Sequence, residues 1–302
     1  MKSSSSASPA AISWTVVTLL TGAAHAERLA DWAREASGVE PVQLLKPRDT
    51  RAWLDLYFKE AGDAQAFLLA SERQRLVLGR AVRICRPRDW QRFWRKHFHV
   101  LTVGGRLRIV PEWSRTGKPP RGVKDLRLEP GLSFGTGTHF TTRFCLERLA
   151  AICRPGHPRS MLDAGTGSGI LAIAAVRMGA AKVLATDNDP QALAAARHNA
   201  SRNRTAARIR FVAADVIAEP PLGRFDLVCA NLYGPLLLEA APALAAATRR
   251  TLLLSGIREI EADTVADAYA AEGLAETVRD GDGEWCGLEF TRLTPRRRSR
   301  EV

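Results

Sequence analysis

The stretch Met161-Leu162-Asp163-Ala164-Gly165-Thr166-Gly167-Ser168-Gly169 decides the fold of this 302-residue chain. An apolar run enters a loop whose glycines let the backbone turn sharply and approach a ligand beside a helix N-terminus. Asp187 closes the next apolar run, 22 positions after Gly165, where a carboxylate can accept hydrogen bonds from both ribose hydroxyls. The pattern predicts a cofactor that contains a nucleoside. A glycine loop that merely turns the chain is the alternative.

From Ser160 onward, short apolar runs alternate with helical patterns. Such alternation predicts a doubly wound parallel sheet that places its ligand at the carboxyl ends of the strands. The last two extended segments have no helix between them, so they are expected to form a terminal antiparallel hairpin. The predicted strands are 160–164, 183–187, 209–213, 225–231, 251–255, 274–279 and 284–292, and the predicted helices are 169 onward, 190–203, 236–248 and 257–271.

Two details favour S-adenosylmethionine over a nicotinamide dinucleotide. The glycines are spaced Gly-x-Gly-x-Gly, unlike the dinucleotide Gly-x-Gly-x-x-Gly, and Asp163 precedes them. The terminal hairpin points the same way. Asp215 follows the third strand, where it could reach an adenine amino group, and Asn231 ends the fourth, where methyltransferases commonly place residues that face the methyl group.

Two other features, a pair of histidines and a loop upstream of the glycine motif, give weaker evidence for a binding site. The Gly/Thr stretch from Phe134 to Thr142 enters a helix predicted to end at Ile152, but it lacks the lysine of a P-loop, so phosphate binding is not expected. His97 and His99 have no carboxylate or thiol at ligand spacing. We therefore predict no metal site.

Composition indicates a soluble protein of about two domains. The chain is 46% hydrophobic and 25% charged, and charges interrupt every candidate membrane span. Five widely spaced cysteines form no disulfide or zinc framework, which is typical of a reduced cytosol. We expect a cytoplasmic protein with no membrane contact.

The excess of positive charge is uneven along the chain. Residues 1–125 hold 22 basic and 12 acidic side chains, residues 126–294 hold 18 and 19, and the tail 295–302 holds four and one. A basic module beside a neutral one suggests that the first part meets an acidic partner such as RNA. An arginine-rich surface that serves only solubility is the alternative.

These patterns predict five segments. They are a leader over 1–12, a small ferredoxin-like α+β domain over 13–86, a connector over 87–125, a cofactor-binding domain over 126–294 and a basic tail over 295–302. The apolar stretch before Ala24-His25-Ala26 could also be read as a signal peptide. Its polar interruptions favour a strand from Trp14 to Leu20 followed by a helix.

The chain contains six motifs that are informative together: Leu128–His139, the run from Leu162, Asp187–Pro190, Ala230–Leu232, Leu254–Ile257 and Glu284-Trp285. They resemble the PrmA family, the methyltransferases of large-subunit ribosomal protein eleven. The resemblance covers residues 88–292 well and 13–86 only by layout. It implies a class I S-adenosylmethionine-dependent methyltransferase domain, Rossmann-like, joined to a small substrate-recognition domain. It also implies N-methylation of the α-amine and lysine side chains of a ribosomal protein, with a weak contact to ribosomal RNA as a further expectation.

By this resemblance the cofactor contacts fall on Thr142, Gly165, Asp187 and Asn231. Gly167 and Asp215 join them from the residue pattern. The chain departs from the family at Thr166, where cysteine is usual, at Phe140, where proline is common, and at Tyr233-Gly234-Pro235. The last departure lies where the amine enters, so it bears on the choice of target.

Catalysis should rest on positioning, because the sulfonium cofactor already carries an electrophilic methyl. We expect Asn231 to orient the amine and expect no dedicated general base, with His139 as an alternative base or a residue that structures its loop. Two other functions stay open. One is a protein-lysine methyltransferase with another target, and the other is an RNA-binding module with a vestigial cofactor fold.

Overall fold

The computed structural model describes residues 13–39, 41–45, 50–85, 100–128 and 139–293, with only the backbone for 42–45. The predicted leader and tail, both His97 and His99, and the Gly/Thr stretch up to Thr138 lie outside the described residues. The chain divides into two compact units, Met1–His97 and Phe98–Val302. Within the described part, no helix is long and apolar enough to cross a membrane.

The first unit is a four-stranded antiparallel sheet with two helices. Its strand order, β2-β3-β1-β4, is that of a ferredoxin-like sandwich, as the sequence predicts. Trp14–Gly22 forms the interior strand β1, paired with both β3 and β4. The helices pack on one face over Leu19, Leu54 and Leu56. The elements are β1 (Trp14–Gly22), α1 (Ala26–Ser37), β2 (Val42–Leu45), β3 (Arg51–Phe58), α2 (Ala61–Ser71) and β4 (Gly79–Cys85).

A three-stranded sheet opens the described part of the second unit. It comprises β5 (Leu101–Val103), β6 (Leu107–Pro111) and β7 (Lys124–Leu128), with β6 and β7 parallel. Arg106 holds it in place, since its guanidinium donates hydrogen bonds to the carbonyls of Ala150 and Cys153, both at 2.5 Å. The segment expected as a connector, 87–125, therefore contains ordered strands that belong to the second unit.

The rest of the second unit is built on a seven-stranded sheet, in the order β10-β9-β8-β11-β12-β14-β13, with helices between its strands. Strands β8 to β12 are parallel, β14 is antiparallel to both neighbours, and the order reverses beside β8, where open α/β sheets bind ligands. This confirms the predicted fold with its terminal hairpin. The elements are α3 (Phe140–Ile152), β8 (Ser160–Ala164), α4 (Ile170–Met178), β9 (Lys182–Asp187), α5 (Pro190–Arg202), β10 (Ile209–Ala213), β11 (Phe225–Asn231), α6 (Gly234–Glu239), α7 (Ala241–Ala247), β12 (Thr248–Arg258), α8 (Ala262–Ala271), β13 (Leu274–Gly281) and β14 (Trp285–Arg292).

Two predicted helices differ from the structure. The helix expected from Ile257 begins only at Ala262, because Ile257 and Arg258 continue β12 and pair with Cys286 and Trp285 of β14. The helix predicted over 236–248 is interrupted at Ala240, giving α6 and α7, each with a proline in its first turn. A proline there has no N–H to extend a preceding helix.

Candidate functional site

The glycine loop follows β8 and enters α4 in a conformation that requires glycine. Gly165, Gly167 and Gly169 have φ angles of 70°, 53° and 80°, in the left-handed region that L side chains rarely adopt. At Gly165 a Cβ would also lie 2.4 Å from Cδ2 of Leu232, the residue after β11. The positive φ angle and the close approach of Leu232 together explain why glycine is required at position 165.

A buried carboxylate supports the loop from below. Asp163 is fully buried, and its Oδ2 accepts hydrogen bonds from the Thr166 hydroxyl at 2.7 Å and the Ala172 N–H at 3.1 Å. Burial raises the pKa of Asp163 to about 6, although both hydrogen bonds oppose the shift. Its Oδ1 and the hydroxyl of Ser255 are buried polar atoms without a hydrogen-bond partner. A polar group entering the site could pair with them.

Asp187 ends β9 beside the loop, as the sequence predicts. Its Oδ2 accepts the Gly167 N–H at 2.8 Å and its Oδ1 accepts the Asp189 N–H at 3.0 Å. A carboxylate offers about four lone-pair positions, so each oxygen keeps capacity for one further donor. The side chain is only partly exposed. It can therefore hold the loop and accept two ribose hydroxyls at the same time.

Asn231 and Thr142 meet at the carboxyl end of β11. The Asn231 amide donates to the Thr142 hydroxyl at 3.4 Å, which joins β11 to the buried first turn of α3. Gly256 allows this approach, since a Cβ there would lie 2.4 Å from the Leu232 carbonyl oxygen and 3.2 Å from the Asn231 side-chain oxygen. The structure thus brings together two residues that are 89 positions apart.

Asp215 has a local role in this structure. Its Oδ1 accepts the N–H groups of Ile217 and Ala218, at 2.8 and 3.1 Å, and these hydrogen bonds lower the pKa of its carboxyl. Its partners are the turn that follows β10 and the side chain of Asn188, which contributes to the lowered pKa. It lies at the same edge as Asp187, with Ala214 donating to the Asp187 carbonyl at 3.1 Å.

His139 lies immediately before α3 and contacts two neighbours. Its Nδ1 is 2.9 Å from the Thr141 hydroxyl, and its ring packs edge-on against Trp285, with the ring centres 5.2 Å apart. Burial lowers the pKa of the imidazole, although the nearby carboxylates of Glu284 and Asp282 oppose this. These contacts suit a residue that structures its surroundings.

Asn199 is a site residue that sequence reasoning missed. It is buried on α5, and its amide donates to the Ser168 carbonyl at 2.9 Å, so it holds the glycine loop from the second helix. Gly256 and Leu232 lie within two motifs of the family resemblance, but neither was predicted as a site residue. A polar residue on the apolar face of an amphipathic helix was the available signal for Asn199. The motifs mark the other two but assign them no role, because their contacts join the ends of separate strands.

The residues present fit S-adenosylmethionine. A loop without Cβ atoms allows close approach, Asp187 has free acceptor capacity for a ribose, and unpaired buried polar atoms lie beneath the loop. The described residues include no group of three or more side chains that could hold a metal ion. The sheet order, with β14 inserted antiparallel, and this loop define a class I S-adenosylmethionine-dependent methyltransferase.

Comparison with known proteins gives the particular family. The family model "Ribosomal protein L11 methyltransferase (PrmA)" matches residues 15–293. Proteins of this name from Klebsiella pneumoniae and Salmonella arizonae are 35% and 36% identical to the chain over an alignment 294 positions long, which covers 91% of the chain and 98% of the relative in each case. The chain belongs to the ribosomal protein L11 methyltransferase family, and it is an enzyme.

A solved structure supports the same assignment. The ribosomal protein L11 methylase from Lactobacillus delbrueckii subsp. bulgaricus is 32% identical, with a TM-score of 0.57. It covers 66% of this chain, and the match spans 100% of the solved chain. The family resemblance that the motifs indicated is thereby confirmed, as is the cofactor, S-adenosylmethionine.

Proposed function

We propose that the chain N-methylates ribosomal protein L11, on its α-amine and on lysine side chains. The observation that carries the proposal is the position of Asn231. Its amide lies at the carboxyl end of β11, hydrogen-bonded to Thr142 and next to Leu232, which packs over the first glycine of the loop. A polar amide beside the cofactor loop can accept a hydrogen bond from an incoming amine. The relatives' printed name supplies the target.

The cofactor contacts in this proposal are Thr142, Gly165, Gly167, Asp187 and Asp215, with Asn231 shared between cofactor and amine. S-adenosylmethionine, when bound, supplies an electrophilic methyl group. The chain's own part is to orient the amine nitrogen and to exclude water. Positioning of this kind supplies most of the rate when the reactants are already activated.

The amine must lose its proton before it can attack, since a lysine has a reference pKa of about 10.4. Transfer of the ammonium from water into the site favours the neutral form, and the proton leaves to solvent. The neutral nitrogen could then take up the methyl group that a bound cofactor would supply, with Asp187 and Gly165 holding the cofactor and Asn231 orienting the amine. The proposal requires no general base. It assigns His139 a structural role in the segment that leads into α3.

Charge at this end of the sheet supports a basic substrate. Asp187, Asp189, Asp215, Glu259 and Glu261 all lie at or just after the carboxyl ends of the parallel strands. Such an acidic edge attracts lysine-rich protein and repels RNA. The proposal places the reaction in the cytosol, where newly made ribosomal proteins are found.

The test is transfer of labelled methyl from S-adenosylmethionine to free L11 and to intact ribosomes, with the modified residues mapped by mass spectrometry. We expect label on amines of L11. Asn231→Ala should lower kcat by about tenfold or more while cofactor affinity, measured by calorimetry, changes less. Gln191→Ala, which removes an exposed amide in the first turn of α5, is the matched control and should keep its rate.

Two outcomes contradict the proposal. Label on a different protein would favour a methyltransferase with another target. Absence of transfer by a folded protein that binds RNA in a salt-sensitive manner would favour a vestigial cofactor fold.

A further inference from the structure

The amino ends of the parallel strands carry a basic cluster that the methyl-transfer site does not use. The cluster consists of His157 and five arginines, and it lies one strand length, roughly 13 Å along β8, from the glycine loop. A cavity of about 450 Å³ opens within it, lined by His157, Arg159, Asp226, Arg249 and Arg250. The full set is His157, Arg159, Arg224, Arg249, Arg250 and Arg292.

The arginines of the cluster are held close to one another. Arg224 and Arg292 both donate hydrogen bonds to the Thr248 carbonyl, at 3.1 and 3.0 Å. Proximity of Arg224 helps lower the pKa of Arg292, behind the larger effect of burial. Like charges are costly to bring together, so their concentration at one carbonyl marks a strongly positive surface.

A bulge exposes two further charges at this point. The β11–β12 register shifts between Phe225 and Leu227, so that Arg249 and Arg250 are both exposed although they are neighbours in a strand. In a regular strand, neighbours face opposite sides of the sheet, and one of the two would be turned inward. The bulge therefore presents both guanidinium groups to solvent.

Acidic side chains compensate only part of this charge. Asp226 pairs with Arg249 at 3.2 Å and also accepts the backbone N–H of Arg159. Glu272 lies near enough to Arg292 to favour its charged form. Arg159 and Arg250 form no ion pair with any residue that the structure describes. Five arginines against two carboxylates leave a net charge of +3, with both free guanidinium groups at the cavity.

We propose that this basic cluster docks the phosphate backbone of double-stranded RNA. Guanidinium groups recognise phosphate through paired N–H donors, and several of them on one face suit a repeating anion. Basic residues continue along the same edge of the sheet, since Arg177 lies at the end of α4, Arg204 follows α5 and Arg208 precedes β10. Asp125 lies near Arg177 and compensates part of this added charge. A surface extended in this way favours a polymer over a small phosphorylated molecule.

The described residues around the cluster include no strongly exposed aromatic ring on which a base could stack, which favours duplex RNA. Among the described residues, the one large aromatic side chain that is strongly exposed is Tyr233, and it lies at the opposite end of the sheet. Single-stranded RNA is bound through aromatic stacking, whereas duplex RNA is recognised by shape and backbone. Binding should therefore be independent of sequence. It would hold the enzyme near RNA-rich assemblies while its acidic edge faces the protein substrate.

The test measures binding of the full chain to a fluorescent RNA duplex of about 16–20 base pairs, by anisotropy, from about 50 to 200 mM salt. The variant R159Q/R250Q removes the two guanidinium groups without an ion pair. We expect affinity to fall by about tenfold or more, and the slope of log affinity against log salt to decrease by about 2. Methyl transfer to a free substrate should be unchanged.

The matched control is R73Q/R75Q, which removes two exposed arginines from the first unit. We expect less than about a twofold effect on RNA affinity, and circular dichroism should show both variants folded. A loss of RNA binding in the control but not in R159Q/R250Q would overturn the proposal and return the role to the basic N-terminal part. RNA binding is read directly, so this result is independent of whether L11 is the substrate.

Other occupants are tested in parallel. Displacement of RNA by a few millimolar inorganic phosphate, beyond the effect of matched salt, would indicate a small-anion site instead. Binding of anionic vesicles in preference to RNA would indicate a membrane surface, for which the exposed Leu222 and Leu293 lie at the same end. Absence of RNA binding by the wild-type chain at low salt would also refute the proposal.

Discussion

Replacement of Asp187 by alanine is the most informative perturbation of the site. Each carboxylate oxygen accepts one backbone N–H and has room for one ribose hydroxyl. A hydrogen bond to a charged acceptor contributes about 1.5–3 kcal/mol. Two such bonds amount to roughly 3–6 kcal/mol, which corresponds to a loss of about 10²–10⁴ in cofactor affinity.

Asp189→Ala is the control, because it removes the same charge two residues away. The Asp189 side chain accepts the Gln191 N–H at 2.8 Å and so caps α5. This variant should lose about 1 kcal/mol of stability and keep cofactor affinity within about threefold. Calorimetric titration with S-adenosylhomocysteine measures both affinities, and urea unfolding measures both stabilities.

A ligand that lacks both ribose hydroxyls tests whether Asp187 contacts the ribose directly or only holds the glycine loop in place. Removal of the hydroxyls should weaken binding to the wild-type chain by about the same factor as Asp187→Ala, and should weaken binding to the variant little further. If the variant loses as much again when the hydroxyls are removed, Asp187 does not hold the ribose. Unchanged affinity of Asp187→Ala for the intact ligand would refute the reasoning outright.

Three further predictions concern single positions. Gly256→Ala should destabilise by about 3 kcal/mol or more in urea, because φ is +84° and the new Cβ meets the Leu232 carbonyl, whereas Gly283→Ala, with φ +90° but open space, should cost about 1–2 kcal/mol. The pKa of Asp163 is raised from 3.8 to about 6 in the folded chain, so its contribution to stability is full below pH 4 and is lost as pH rises through 6. Relative to Asp163→Asn, the unfolding free energy should fall by about 3 kcal/mol over that window, and a flat difference would contradict the burial argument. His139→Gln should reduce kcat by less than about tenfold with an unchanged pH profile, since loss of a true base costs about 10²–10⁴.

The glycine loop shows how much local sequence can predict. Three glycines after an apolar run require a turn, and all three adopt positive φ angles in the structure. Asp187 and Asn231 lie at strand ends, as predicted, because the carboxyl ends of parallel strands meet at one edge. Hydrophobic periodicity and the positions of glycine and proline are local properties of the sequence. They can therefore be interpreted without knowing which strands pair in the fold.

Long-range pairing explains the failures. The strand β12 runs to Arg258, because β14 offers Trp285 as a partner, and nothing near Ile257 signals this. Of the sheet β5–β7, the residue pattern predicts only a strand over 106–110, which corresponds to β6. Its partners were not predicted, since β6 and β7 pair in parallel across an irregular loop. Gly287 also depends on a long-range contact that the sequence does not reveal. A Cβ at this position would lie 2.4 Å from the ring of Phe144 on α3.

The sequence by itself determined the order of strands and helices, the cofactor loop and the acid that follows it, because each depends on residues within a few positions of one another. Only the tertiary structure decided where the charge acts. By sequence, residues 126–294 are nearly neutral, yet the fold collects Arg159, Arg224 and Arg249 at one end of the sheet and the acids near Asp187 at the other. A parallel sheet aligns strand beginnings with beginnings and ends with ends, so residues distant in the chain share a face that no count along the sequence can reveal.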